Sequence, residues 1–250
     1  MNLHSDELDL VEIFSSIQGE GLYVGCRQVF VRLAGCNICC RYCDTVNSFV
    51  TPPEARVESV PGGRIFHTVA NPMSMEIFVR TVDTLCQSPH HSISLTGGEP
   101  LLQPAVVLAL QPIRKAGTRL YLETNGTLPE ALEHVIDDID IVSMDFKLPS
   151  AMYGKSFWSE HARFLRIAAK RSVFVKVVLT GETLDEEIRE IVELIGSVNT
   201  SIPLIFQPVT PVNGVPAVAV AHTLRWQEMA LQRLRDVRVI PQTHKIMGHL

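Results

Sequence analysis

The sequence predicts an α/β fold, a single-domain βα barrel that stops short of closure, with about six parallel strands. Short apolar runs recur along the chain, each ending in a polar or glycine-rich turn, and segments of helical periodicity separate them. Strands alternating with helices are the pattern of parallel βα units. About six such runs are fewer than the eight of a closed barrel. A length of 250 residues suits one undivided domain of this class.

The first strand is Gln28 to Leu33, which is rich in β-branched residues and runs directly into a cysteine loop. His91 to Leu95 leads into Thr96-Gly97-Gly98-Glu99-Pro100, and Arg119 to Leu122 into Glu123-Thr124-Asn125-Gly126. Ile139 to Met144 leads into Asp145-Phe146-Lys147, and Val173 to Leu179 ends at Thr180-Gly181. Leu204 to Phe206 leads into Gln207-Pro208-Val209-Thr210. The periodicity predicts helices over Ser74 to Cys86, Gln103 to Ala116 and His222 to Arg235. Thr183 and Glu186 have capping-box spacing, predicting a helix that runs to about Val198. Asp44 to Pro72 carries two adjacent prolines, a Pro-Gly-Gly and weak periodicity, so a lid-like insertion is expected at about 46–73, within one domain spanning 1–250.

Composition narrows the function. Hydrophobic residues make up 46% and charged residues 20%, the balance of a globular chain with a large core. A net charge of −5 argues against the basic face that a nucleic-acid backbone or an anionic membrane would require. No run approaches a membrane span, and the start, MNLHSDELDLVEIF, is acidic and lacks an apolar run. Four of the six cysteines fall within eight residues, unlike a spread disulfide framework, which points to a soluble cytoplasmic protein with thiolate metal ligands.

The unusual chemistry gathers at strand ends, the face on which parallel barrels build active sites. Cys36, Cys40 and Cys43 form C-x3-C-x2-C, three soft thiolates able to hold three corners of an iron–sulfur cube and leave one iron open. Cys36/Cys39 and Cys40/Cys43 also read as two abutting C-x2-C pairs, the ingredients of a structural zinc site, although zinc pairs are normally well separated. Gly97 and Gly98 allow close backbone approach to a ligand, and Glu99 could accept from an ammonium group; an ordinary strand–helix turn explains them too. Ile17-Gln18-Gly19-Glu20-Gly21 is either a hairpin turn or a binding loop. Arg32 is a charge inside an apolar strand and must pair with a structural carboxylate or a bound anion. The Thr45 hydroxyl could cap a turn or face a hard cation, and His244 alone is an ordinary polar residue.

Taken together these residues resemble the radical S-adenosylmethionine (SAM) superfamily and, within it, the family of 7-carboxy-7-deazaguanine synthases over nearly the whole length. The resemblance is carried by EIFSSIQGEG at Glu12 to Gly21, VFVRLAGC at Val29 to Cys36, CDT at Cys43 to Thr45, TGGEP at Thr96 to Pro100 and QTHK at Gln242 to Lys245. It implies a shortened barrel of the radical SAM type, with a [4Fe-4S] cluster on Cys36, Cys40 and Cys43 and SAM on the open iron. The implied reaction starts when a 5′-deoxyadenosyl radical takes hydrogen from 6-carboxy-5,6,7,8-tetrahydropterin. Ring contraction with loss of ammonia then gives 7-carboxy-7-deazaguanine, a precursor of queuosine-type 7-deazapurines. Implied SAM contacts are Tyr42, Cys43, Asp44, Gly98 and Glu99, with Asp145, Phe146 and Lys147 standing where many members read Ser-Pro-Lys. Implied substrate contacts are Ile17, Gln18, Gly19, Glu20, Arg32, Thr96 and His244, and Thr45 would ligate Mg²⁺. An electron donor such as flavodoxin and a homodimer complete the expectation. Two rivals are a radical SAM activase acting on a partner protein and a zinc-stapled binding protein.

Overall fold

The computed structural model describes residues 5–115 and 117–249. Twelve strands are present among them: β1 (Glu7–Leu8), β2 (Leu10–Ile17), β3 (Arg27–Leu33), β4 (Glu54–Glu58), β5 (Phe66–Ala70), β6 (Met73–Ser74), β7 (Ser92–Gly97), β8 (Arg119–Thr124), β9 (Ile141–Phe146), β10 (Ser172–Leu179), β11 (Leu204–Pro208) and β12 (Val237–Val239). Ten form one sheet in the order β12-β11-β10-β9-β8-β7-β3-β2-β4-β5, and β1 pairs only with β6. From β3 through β7 to β12 every neighbour is parallel, while β2 runs antiparallel to β3. The two ends of the sheet do not pair with each other, so the barrel is open.

All six expected parallel strands are found, and β12 is a seventh. Its three residues, Val-Arg-Val, are too short to show a period. The region 46–73 also departs from expectation. After a short 3-10 turn at Val46–Phe49, β4 and β5 form an antiparallel hairpin that extends the sheet beyond β2. Its outer strand reads Phe-His-Thr-Val-Ala with no buried residue, so no apolar alternation marked it in the sequence.

The helices are α1 (Met75–Cys86), α2 (Ala105–Ala109), α3 (Gln111–Lys115), α4 (Pro129–Val135), α5 (Trp158–Ala168), α6 (Asp185–Val198), α7 (Val220–Leu231) and α8 (Thr243–Met247). Ser74 caps α1, its hydroxyl accepting from Ile77 N at 3.3 Å. The single helix expected from Gln103 is broken into α2 and α3, because Pro112 cannot donate the bond that would carry the ladder across Leu110; Ala116 lies outside the described residues. The cap of α6 sits one residue later than Thr183 and Glu186 imply. Leu184 N donates to the Glu187 carboxylate at 2.9 Å, while Thr183 Oγ1 accepts from Thr180 N at 3.0 Å. Helices α4 and α5 were not anticipated. No described helix is long and apolar enough to cross a membrane.

Strand alternation gives the sheet two unlike faces. Val29, Val31, Leu33, Ile93, Leu95, Leu120, Leu122, Val142, Met144, Val175, Val177, Leu204 and Phe206 point outward and join the helices in the main core. The alternate positions point into the barrel. Low in it, Tyr121, Ile141, Phe174 and Ile205 form an apolar plug with Tyr23. Nearer the C-terminal strand ends the same face turns polar, with Arg32, Thr96, Glu123, Ser143, Asp145, Lys176 and Gln207 around a cavity of about 240 Å³.

Candidate active site

The cysteine loop follows β3 and crosses the mouth of this cavity. Cys36, Cys40 and Cys43 line it, whereas Cys39 is exposed and takes no part in the wall. Ile38, Met152 and Phe157 pack against Cys36 and Cys40, shielding them. Burial pushes both thiols up, Cys40 to about 11, so a metal must displace a firmly held proton from each. The neighbouring Glu123–Thr127 turn fixes the loop. Asn125 Nδ2 donates to Asn37 Oδ1 at 2.9 Å, and Asn37 Nδ2 donates to Thr127 Oγ1 at 2.8 Å. Among the described residues no three His, Cys, Asp or Glu side chains converge closely enough to grip a single ion.

The Thr96–Pro100 turn is packed tightly against the start of the cysteine loop. A Cβ on Gly98 would lie 1.8 Å from Gly35 O, and one on Gly97 (φ +128°) 2.2 Å from Leu33 O. These glycines are needed where β7 crosses the start of the cysteine loop, and both also line the cavity. Glu99 is wholly buried behind the wall. Its Oε1 accepts from Leu101 N at 3.0 Å and Thr124 Oγ1 at 2.8 Å, and its Oε2 from Asn125 N at 2.8 Å. Burial raises its carboxyl to about 7 although these donors favour the ionised form. Its lone pairs are directed to the backbone of two loops, and it is not part of the cavity lining.

Opposite the cysteines stands the Ile17–Gly21 loop. Gln18 Nε2 donates to Gln28 Oε1 at 2.9 Å and to Glu123 Oε1 at 2.8 Å; Glu123 Oε2 accepts from Thr96 Oγ1 at 2.7 Å. Glu20 is ion-paired with Lys176 and accepts from Gln242 Nε2 at 2.8 Å. Burial opposes its charge, but Lys176, Gln242 and His244 together bring the carboxyl down to about 2. Arg32 lines the cavity with its Nε on Glu12 Oε1 at 3.0 Å, across the β2–β3 pair. The structural carboxylate expected of it is therefore present in Glu12, and the same side chain also borders the cavity.

Asp145, Phe146 and Lys147 alternate as a strand dictates. Asp145 Oδ2 takes Lys147 at 3.0 Å and Lys176 at 3.2 Å, while Lys147 Nζ sits 5.2 Å from the Tyr42 ring centroid. Phe146 points to the other face, its ring 3.9 Å from the His161 ring, and lies outside the cavity. Asp44 and Thr45 line the rim, Asp44 held by Lys245 at 2.7 Å. Residues 242–248 lie across the opening. Thr243 N donates to Gly19 O at 2.9 Å, and a Cβ on Gly19 would meet His244 at 2.3 Å, so that glycine lets the two segments close. Lys176, Glu123 and Gln207 were missed as site residues. Lys176 had a usable signal, a lone charge inside the apolar run Val-Phe-Val-Lys-Val-Val-Leu.

The cavity has the requirements of a large polar ligand beside a metal group. Asp145 Oδ1 and Gln207 Oε1 are buried, border the cavity and have no partner, so an occupant must bring donors to both. Residues 31–195 match the model of the radical SAM superfamily. The chain is 44% identical to the 7-carboxy-7-deazaguanine synthase of Geobacter sulfurreducens, covering 97% of this chain and 98% of the relative. It is 36% identical to that of Methanothermobacter thermautotrophicus, over 96% of each.

The chain belongs to the 7-carboxy-7-deazaguanine synthase family of radical SAM enzymes.

Its fold is similar to the crystal structure of QueE from Escherichia coli, with a TM-score of 0.60, 20% identity and 94% of both chains covered. TYW1 with a lysine-pyruvate adduct bound is similar at a TM-score of 0.56 and 14% identity, over 83% of this chain and 74% of that one. A [4Fe-4S] cluster and SAM belong to radical SAM chemistry, and the three thiols with the polar cavity beneath them suit that pair.

Proposed function

We propose that the chain converts 6-carboxy-5,6,7,8-tetrahydropterin to 7-carboxy-7-deazaguanine with loss of ammonia; the names of its relatives give the product, 7-carboxy-7-deazaguanine. The observation that carries this reading is one cavity lined at once by Cys36, Cys40, Cys43 and the Ile17–Glu20 loop. When bound, the cluster and SAM supply one-electron cleavage chemistry and hydrogen-atom abstraction. Cys36, Cys40 and Cys43 would hold the cluster. Tyr42, Asp44, Gly98, Asp145 and Lys147 would receive SAM, with Glu99 and Phe146 bracing its wall from behind. Gln18, Gly19, Glu20, Thr96 and His244 would orient the pterin, and Arg32 would face its carboxylate. Thr45 would offer its hydroxyl to a Mg²⁺ ion that neutralises the same carboxylate. Residues 242–248, crossing the opening, favour a small enclosed substrate over the polypeptide that an activase needs. The same reading includes one domain over 1–250 with 46–73 bordering the opening, a donor such as flavodoxin, a homodimer and a cytoplasmic location.

The test is anaerobic reconstitution with iron and sulfide, followed by turnover with SAM, reductant, Mg²⁺ and the carboxytetrahydropterin. The 7-deazaguanine product and ammonia are expected. Cys36→Ala, Cys40→Ala and Cys43→Ala should each be colourless and inactive, while Cys39→Ala stays brown and active. A brown, SAM-cleaving protein that leaves the pterin unchanged would overturn the assignment.

A further inference from the structure

Lys176 stands at the centre of the barrel's inner charge network. It occupies the middle of β10, is only 9% exposed, and reaches two carboxylates from different parts of the chain. One is Glu20, on the loop between β2 and β3; the other is Asp145 Oδ2 at 3.2 Å, its register partner on β9. A buried ion pair adds little net stability over apolar packing, because desolvation cancels most of the attraction. What it does add is location. The other Glu20 oxygen is held by Gln242, and Glu20 N donates to Gln18 Oε1 at 3.0 Å. Glu20 is thus the point at which the loop carrying Gln18 and Gly19 is fastened to the barrel floor. Lys176 is its fastening on the floor side, and Asp145 has a second ion-pair partner in Lys147 at 3.0 Å.

We propose that Lys176 is a positioning residue for the pterin: it seats Glu20 so that the Ile17–Gly21 loop presents its polar groups to the substrate, while Asp145 keeps Lys176 itself in place. This rests on the function proposed above. The side chain acts through Glu20 and need not touch the reacting atoms.

The experiment measures pterin and SAM affinity by calorimetry on anaerobic holoenzyme, with kcat and KM alongside. The variants are Lys176→Met, Lys176→Arg and the charge-balanced pair Lys176→Met with Asp145→Asn. Lys176→Met should weaken pterin binding and raise KM by roughly tenfold or more, the scale of one lost positioning contact, at unchanged cluster content. Lys176→Arg should recover most of that affinity. The balanced pair should regain thermal stability but not pterin affinity, since it restores charge without restoring the seat for Glu20. Pterin affinity in folded Lys176→Met within about twofold of the parent, or full recovery in the balanced pair, would reduce Lys176 to a structural counter-ion. A parent protein that binds SAM but not the pterin would instead overturn the functional reading, and the role of Lys176 with it.

Discussion

Glu20 and Glu99 follow closely similar sequence cues, an acid beside glycine at the end of a strand, yet they do opposite work. Glu20 lies on the wall of the cavity, ion-paired with Lys176, and its carboxyl is brought down to about 2. Glu99 lies behind the wall among neutral donors, and burial lifts its carboxyl to about 7. Nor do the glycines beside them serve one purpose. Gly19 makes room for His244, a neighbour from far along the chain, whereas Gly98 makes room for the backbone of Gly35. An acid next to a glycine marks a place where chains come close. Whether the approach is made by a ligand or by another strand depends on topology.

The sharpest way to break the contrast is Gly98→Ala. The added Cβ would stand 1.8 Å from Gly35 O, and a backbone carbonyl cannot rotate away as a flexible side chain would. A loss of at least about 4 kcal/mol is expected, with the cysteine loop displaced. Denaturant unfolding checks it, and a change under about 1 kcal/mol would mean that β7 shifts freely.

Glu99→Gln comes next. Its amide must turn two hydrogens toward groups that already donate, so a loss of about 1 to 3 kcal/mol is expected. SAM affinity in the folded fraction should be close to that of the parent, because Glu99 is outside the cavity lining. A large loss of SAM affinity at full stability would return Glu99 to the ligand.

The smallest effect is in pH dependence, where the two acids pull in opposite directions. The Glu20 carboxyl, depressed in the fold, contributes stability that is complete above the unfolded value of 4.5 and is lost as pH falls toward about 2. The Glu99 carboxyl, raised in the fold, contributes stability that is complete below 4.5 and is lost as pH rises through about 7. Melting temperature against pH should therefore lose part of its acid-side slope in Glu20→Gln and part of its slope between 4.5 and 7 in Glu99→Gln. Parallel curves for the parent and both variants would refute the contrast.

Much of this architecture was legible because strand alternation and helix periodicity are local. The six long parallel strands and the cysteine loop announce themselves in consecutive residues. What escaped depends on register and distance. Phe146 sits between two cavity residues in sequence but on the opposite face in space. Lys176 carried the same signal as Arg32, a charge in an apolar strand, and its meaning appears only once Glu20 is seen beside it. The hairpin of β4 and β5 had no apolar rhythm because its outer strand buries nothing.

The strap formed by residues 242–248 gives the site a place in time as well as in space. Gly19 and Thr243, joined across the opening, are 224 positions apart. During synthesis the loop that would receive the substrate emerges long before the segment that closes over it, and the cysteines appear while most of the parallel strands are still unmade. A half-made chain would therefore expose reactive thiols without the wall that shields them. The cavity is complete only after β10 has brought Lys176 into the barrel and Gln242, His244 and Lys245 have joined its rim.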